Sequence, residues 1–187
     1  MNKIDKAMGR YGNKIFMYAY LYAQMREGVI PDVYVQDPKY FDKYSEEIKR
    51  VFGEGIGFLE FVSIHIRRGD YVNNPFYVDL TQTDYYTKAV EMFPNKKFLV
   101  FSDDREFAKE CFNGSDFQVM EGTEEEDFNM MASCESNIIA NSSFSYWAAY
   151  LNPNPAKKVV CPSPKNLWYN DKIVRTQVPE EWIQIES

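Results

Sequence analysis

The sequence predicts an α/β fold in which a parallel sheet carries helices on both faces. Three observations predict it. From residue 58 onward, short β-branched and aromatic runs alternate with helical patterns. Repeated βαβ units of this kind close right-handed crossovers onto a parallel sheet. The polar residues able to do chemistry fall just after the apolar runs, where open parallel sheets bind ligands. The first 57 residues have a different, mostly helical texture. The expected division is a reduced helical part over 1–57 and a Rossmann-like unit over 58–187.

The elements follow in order. Lys14 to Arg26 is apolar on nearly every side, as for a helix inside a fold. Gly28 supplies a stop and Pro31 follows it. A second helix is predicted over Phe41 to Phe52, with Tyr44, Ile48, Val51 and Phe52 on one face. Gly53, Gly55 and Gly57 then read as a flexible joint. Strands are predicted at 60–66, 97–102, 117–120, 136–140 and 157–161, and helices at 83–93, 104–112, 124–133 and 143–151. The acidic run Glu124–Asp127 reads as a solvated helix start that suits the helix dipole.

Composition narrows the classes. A chain of 187 residues suits one domain, or one domain with a reduced second part. Its 45% hydrophobic content is enough for a real core. The 17% of aromatic residues read as core with tyrosines at its margin, with sugar stacking as the other reading. A net charge of −7 disfavours nucleic acid as a partner. Cys111, Cys134 and Cys161 are odd in number and widely spaced, so neither a disulfide framework nor a zinc site is expected. One histidine excludes a His-rich metal site. No apolar leader and no run of about 18 apolar residues is present, so no membrane span is expected and a cytoplasmic protein is inferred.

The densest chemistry is His65-Ile66-Arg67-Arg68-Gly69-Asp70, directly after the strand pattern Phe61–Ile64. Arginine carries a fixed fork of donors that matches phosphate oxygens. Two arginines at the end of an apolar strand therefore point to an anion, within an acidic protein. The next strand exits into Ser102-Asp103-Asp104, and the fourth into Asn141-Ser142-Ser143-Phe144 at a helix start. Hydroxyls and backbone N–H groups there make an anion cradle. An aspartate at the second exit can accept from the N1–H and N2–H₂ edge of guanine. The plainer readings are surface ion pairs for the arginines, helix caps for Asp103 and the serines, and a satisfied buried ring for His65. Gly12 and Asn13 sit before the first helix, as a ligand-facing loop would. Neither the dinucleotide nor the P-loop fingerprint occurs.

Four segments in order, Gly9–Ala19, Val62–Val72, Phe101–Asp104 and Ile138–Trp147, resemble the α-1,2-fucosyltransferases of glycosyltransferase family 11. The resemblance implies the donor half of a GT-B-like fold, with 58–187 as its nucleotide-sugar-binding unit. It implies metal-independent, inverting transfer of L-fucose from GDP-fucose to a glycan hydroxyl, O2 of a terminal galactoside. GDP-fucose is then the donor substrate and no cofactor is required. Arg67 and Arg68 would hold the β-phosphate and help GDP leave. His65 and an aspartate of Ser102-Asp103-Asp104 would lie near the guanosine. Asn141, Ser142, Ser143 and Phe144 would bind phosphate and fucose. Asp70 is the first candidate for the acceptor base, with a salt bridge to Arg68 or proton uptake by the leaving phosphate as alternatives. Lys14, Tyr11, Tyr146 and Ala148 depart from the usual Gln, Leu, Trp and Gly. Residues 13 to 64, 52 in all, separate Gly12 from His65, fewer than the family usually carries. That shortening motivates two other readings: a GDP-sugar or glycan-binding module without turnover, and a homo-oligomer whose neighbouring subunit completes the acceptor cleft.

Overall fold

A computed structural model describes residues 11–27, 36–53 and 56–186, apart from the side chains of Tyr11, Gln24, Met25 and Glu27. It contains α1 (Tyr11–Glu27), α2 (Ser45–Phe52), β1 (Leu59–Ile66), α3 (Tyr85–Glu91), β2 (Phe98–Ser102), α4 (Arg105–Cys111), β3 (Phe117–Val119), α5 (Glu124–Ser133), β4 (Cys134–Ile138), α6 (Ser143–Leu151), β5 (Val159–Pro162) and β6 (Ile183–Ile185). The strands form one six-stranded sheet in the order β3-β2-β1-β4-β5-β6. Every pairing in it is parallel. This is the doubly wound, Rossmann-like arrangement. Strand order reverses between β1 and β4, and the crevice beyond their carboxyl ends is the natural ligand position.

The pleat of β1 sorts its side chains between two cores. Val62, Ile64 and Ile66 enter the layer under α3, with Leu80, Tyr85 and Val100. Ser63 and His65, on the opposite face, are buried toward α5 and α6. On that second face α1 is central. Its Phe16 is fully buried, with ring centroids 4.7 Å from Tyr146, 4.9 Å from Trp147 and 6.1 Å from Phe41. These rings, with Phe128, Trp168 and Trp182, make the aromatic content mainly core.

Polar groups inside this core are paired in a chain. Asn137 Nδ2 donates to Ser63 Oγ at 2.7 Å and to the Met131 carbonyl at 2.8 Å. Asn152 Nδ2 donates to Asn137 Oδ1 at 2.8 Å and to the Cys134 carbonyl at 2.7 Å. One amide relay thus ties β1, β4 and the end of α6. Lys157 closes α6, donating to the carbonyls of Ala149, Tyr150 and Asn152 at 2.8, 3.4 and 2.6 Å. The three cysteines are free, with Cys111 exposed and the other two buried.

Several boundaries differ from the sequence expectation. The helix expected from Phe41 is two 3₁₀ turns, Pro38–Tyr40 and Asp42–Tyr44, before α2 begins at Ser45. Asp37 caps the first turn by accepting from Lys39 N, which starts a tight turn early. β4 begins at Cys134, because α5 runs into it with no loop. β5 begins at Val159, since Lys157 turns back onto α6. β6 was not expected; three residues carry too little periodicity to reveal a strand. Gly53 caps α2 through its N–H to the Lys49 carbonyl at 2.7 Å. The stop at Gly28, Pro31 and the joint residue Gly55 lie outside the described residues. Among the described residues, no helix is long and apolar enough to cross a membrane.

Candidate active site

A cavity of about 590 Å³ opens at the switch point. Its floor is the exits of β1 and β2, with His65, Arg67, Asp70, Phe101, Ser102 and Asp103. Gly12 and Asn13 of α1 and Asn141, Ser142, Ser143 and Phe144 at the start of α6 also line it. Residues of α1 and the N-terminus of α6 therefore converge on one space. The N-terminus of α6 presents the positive end of its dipole there, which favours an anion. The convergence depends on Gly12. A Cβ there would stand 2.3 Å from the Ser143 carbonyl carbon and 2.5 Å from Phe144 N. Only a residue without a Cβ lets α1 and the start of α6 touch. Asn13 Oδ1 secures the contact, accepting from Ser143 Oγ at 2.5 Å and from Gln36 Nε2 at 3.3 Å. Ser142 Oγ caps α6 by accepting from Phe144 N at 3.3 Å, the plainer of its two readings.

The two adjacent arginines go to different places. Arg67 lines the cavity, its side chain only 11% exposed. It pairs with Asp103 at 2.5 Å and with Asp70, and lies 5.5 Å from the Tyr71 ring centroid. Arg68 does not line the cavity. Its Nε donates to Asp104 Oδ2 at 3.0 Å, its Nη1 donates to Thr81 Oγ1 at 3.1 Å, and its guanidinium lies 3.6 Å from the Phe107 ring centroid. Arg68 fastens the loop to α4, so the structure does not bring it to the anion position expected of the pair. The salt bridge of Asp70 is with Arg67 rather than Arg68.

The aspartates of the second exit are also engaged. Asp103 Oδ1 accepts from the N–H groups of Arg68 and Gly69 at 2.9 and 3.2 Å, while Oδ2 faces Arg67. Asp104 caps α4 by accepting from Phe107 N at 3.2 Å, and its own N–H donates to Ser102 Oγ at 3.0 Å. Asp104 lies outside the cavity lining. Both carboxylates shape the loop, and neither presents a free edge to a base.

A carboxylate that the sequence reading set aside also lines the cavity. Asp127, assigned to a solvated helix start, is 8% exposed and lines the cavity. Its Oδ1 is buried against Gly122, whose backbone N–H pulls on the carboxylate, and Oδ2 lies 3.7 Å from Arg105. Burial pushes its carboxyl above the usual range, against the pull of Arg105. Helical spacing was the overlooked signal: Asp127 leads into the buried Phe128 and Met131, so it faces inward. Asn141 presents an orphan. Its Nδ2 donates to the carbonyls of Val78 and Trp168 at 2.8 and 3.3 Å, while its buried Oδ1 has no partner. Tyr71, Tyr77, Trp168 and Tyr169 complete the wall, with Tyr71 and Tyr77 stacked at 4.1 Å. Among the described residues, no group of His, Cys, Asp and Glu is arranged to hold a metal ion.

Fold and cavity together define a Rossmann-like protein with its ligand site at the sheet's switch point. Residues 8–186 match glycosyl transferase family 11, and the chain belongs to that family. It is 34% identical over 179 residues to an alpha-1,2-colitosyltransferase of Escherichia coli, covering 81% of this chain and 61% of that protein. It is 35% identical over 135 residues to the O-antigen biosynthesis glycosyltransferase WbnK of Escherichia coli, covering 66% and 44%. It is 33% identical over 104 residues to galactoside alpha-(1,2)-fucosyltransferase 2 of Rattus norvegicus, covering 49% and 29%. This chain thus spans 61% or less of the length of these relatives.

Proposed function

We propose that this chain transfers L-fucose from GDP-fucose to a glycan hydroxyl, O2 of a terminal galactoside, with inversion and without a metal. The observation that carries the reading is Arg67 and the Ser142–Ser143 bend facing one cavity, where α6 begins. In transfer, the bond from fucose C1 to the β-phosphate oxygen breaks and a bond from the acceptor oxygen to C1 forms on the opposite face. Negative charge grows on the leaving GDP. Arg67 and the N–H groups at the start of α6 are fixed donors placed to stabilise it. The acceptor's proton goes to Asp70 or to the departing phosphate. The Asp127 carboxylate accepts from the guanine edge, and Asn141 Oδ1 from a sugar hydroxyl. Residues 58–187 serve as the donor unit and 1–57 as a reduced acceptor-side cap.

A second reading is a GDP-sugar-binding module without turnover. It is favoured by the double carboxylate pairing of Arg67, which a phosphate must displace or share. One experiment separates the two. Purified protein is incubated with GDP-fucose and a panel of galactosides, and released GDP and fucosylated product are measured beside calorimetric GDP binding. Product formation lost in Arg67→Ala supports the transferase. GDP binding with no product supports the module, and indifference to GDP overturns both.

A further inference from the structure

His65 is the chain's single histidine, and one edge of its ring is held. Its Nδ1 lies 2.9 Å from Ser145 Oγ, both groups being buried. That hydroxyl accepts the Ala140 N–H at 3.1 Å, and its remaining neighbour is the Ser142 carbonyl at 3.4 Å. A hydroxyl has one proton to donate. The ring nitrogen is the nearer neighbour by half an ångström, and we assign the hydroxyl proton to that contact. An imidazole that accepts at Nδ1 carries its hydrogen at Nε2. Burial, reinforced by Arg67 and opposed by Asp103, lowers the ring's pKa to about 4 and keeps it neutral at pH 7. Nε2 has no hydrogen-bond partner among the described residues, and His65 lines the cavity.

We propose that Ser145 is a positioning residue: it locks His65 in the Nε2–H tautomer, so that the ring is a standing donor to an acceptor oxygen of the bound nucleotide. The proposal rests on the donor-site reading above and adds a residue outside the cavity lining. The oxygen belongs either to the guanine carbonyl or to a phosphate.

With one histidine, nitrogen-15 spectra of the labelled protein contain a single imidazole pair. In the ligand-free protein, a protonated Nε2 and an unprotonated Nδ1 are expected; the reverse tautomer, or a rapidly averaged pair, overturns the proposal. Ser145→Ala should give the averaged pair and weaken GDP binding about three- to tenfold, the scale of one lost hydrogen bond. Retention of both the tautomer and the affinity in that variant also overturns it. GDP should shift the Nε2 resonance. The same shift with 2-aminopurine riboside diphosphate, which lacks the base carbonyl, assigns the acceptor to phosphate, and its loss assigns it to the base. If GDP binds yet leaves Nε2 unmoved, the donor role is overturned. If GDP does not bind, the donor-site reading fails, while the free-protein spectrum still decides the tautomer.

Discussion

At the scale of single residues, neighbours in sequence do different work because a loop turns successive side chains apart. Arg67 enters the cavity and Arg68 enters a packed joint between the loop, Thr81 and α4. Arg68→Ala should therefore lower stability by about 1–2 kcal/mol, through lost stem packing and a partly exposed ion pair, and leave GDP affinity within about twofold in calorimetry. A loss of binding as large as in Arg67→Ala would place Arg68 at the ligand instead. Asp127→Asn tests the base edge. The variant should lose about tenfold in preference for GDP over IDP, which lacks the 2-amino group, because an amide oxygen is a weaker acceptor than a carboxylate. The placement of these two residues shows what sequence can and cannot carry. Residue types at strand exits located the rim where the cavity opens. They could not reveal which of two arginines turns inward, nor that one acid of an acidic run points into the fold, because those depend on side-chain direction in three dimensions.

At the scale of elements, the strands were legible where β-branched and aromatic residues clustered, as in β1, β2 and β5. The helices were legible where caps were strong, as with the capping box of Thr123 and Glu126 at α5. Joints were the weak point. Nothing local distinguishes a helix feeding straight into a strand, as α5 does, from one followed by a short turn. The meeting of α1 and α6 was invisible for a related reason: it depends on contact between residues 130 positions apart. Its test is Gly12→Ala. The added methyl must push apart two backbones, so a destabilisation of about 1–3 kcal/mol is expected in thermal unfolding. GDP affinity should fall as well, since α1 and the start of α6, which both line the cavity, separate. An unchanged Tm with unchanged affinity would show that α1 and the start of α6 do not form a joint cradle.

At the scale of the whole molecule, His65 links stability to pH. Its ring titrates near 4 when buried, against an ordinary value of 6.5. Above about pH 6.5 both folded and unfolded chains hold it neutral, and the folded state carries no penalty. As pH falls from 6.5 toward 4, only the unfolded chain takes up the proton, so stability drops by about 3 kcal/mol over that window. The comparison of wild type with His65→Gln in denaturant unfolding should show this slope in the first protein and its absence in the second. Equal slopes would mean that the ring is protonated in the fold. The polar relay from Ser63 through Asn137 to Asn152 has a different reach. Hydrocarbon contacts tolerate a strand displaced by two residues, since the same pleat face returns. Amides do not, because every shifted alignment strands a carbonyl or an NH₂ group in a dry interior. The trio therefore acts as a key cut for a single alignment of the sheet's middle strands, and it discriminates against misthreaded assemblies that greasy side chains alone would accept.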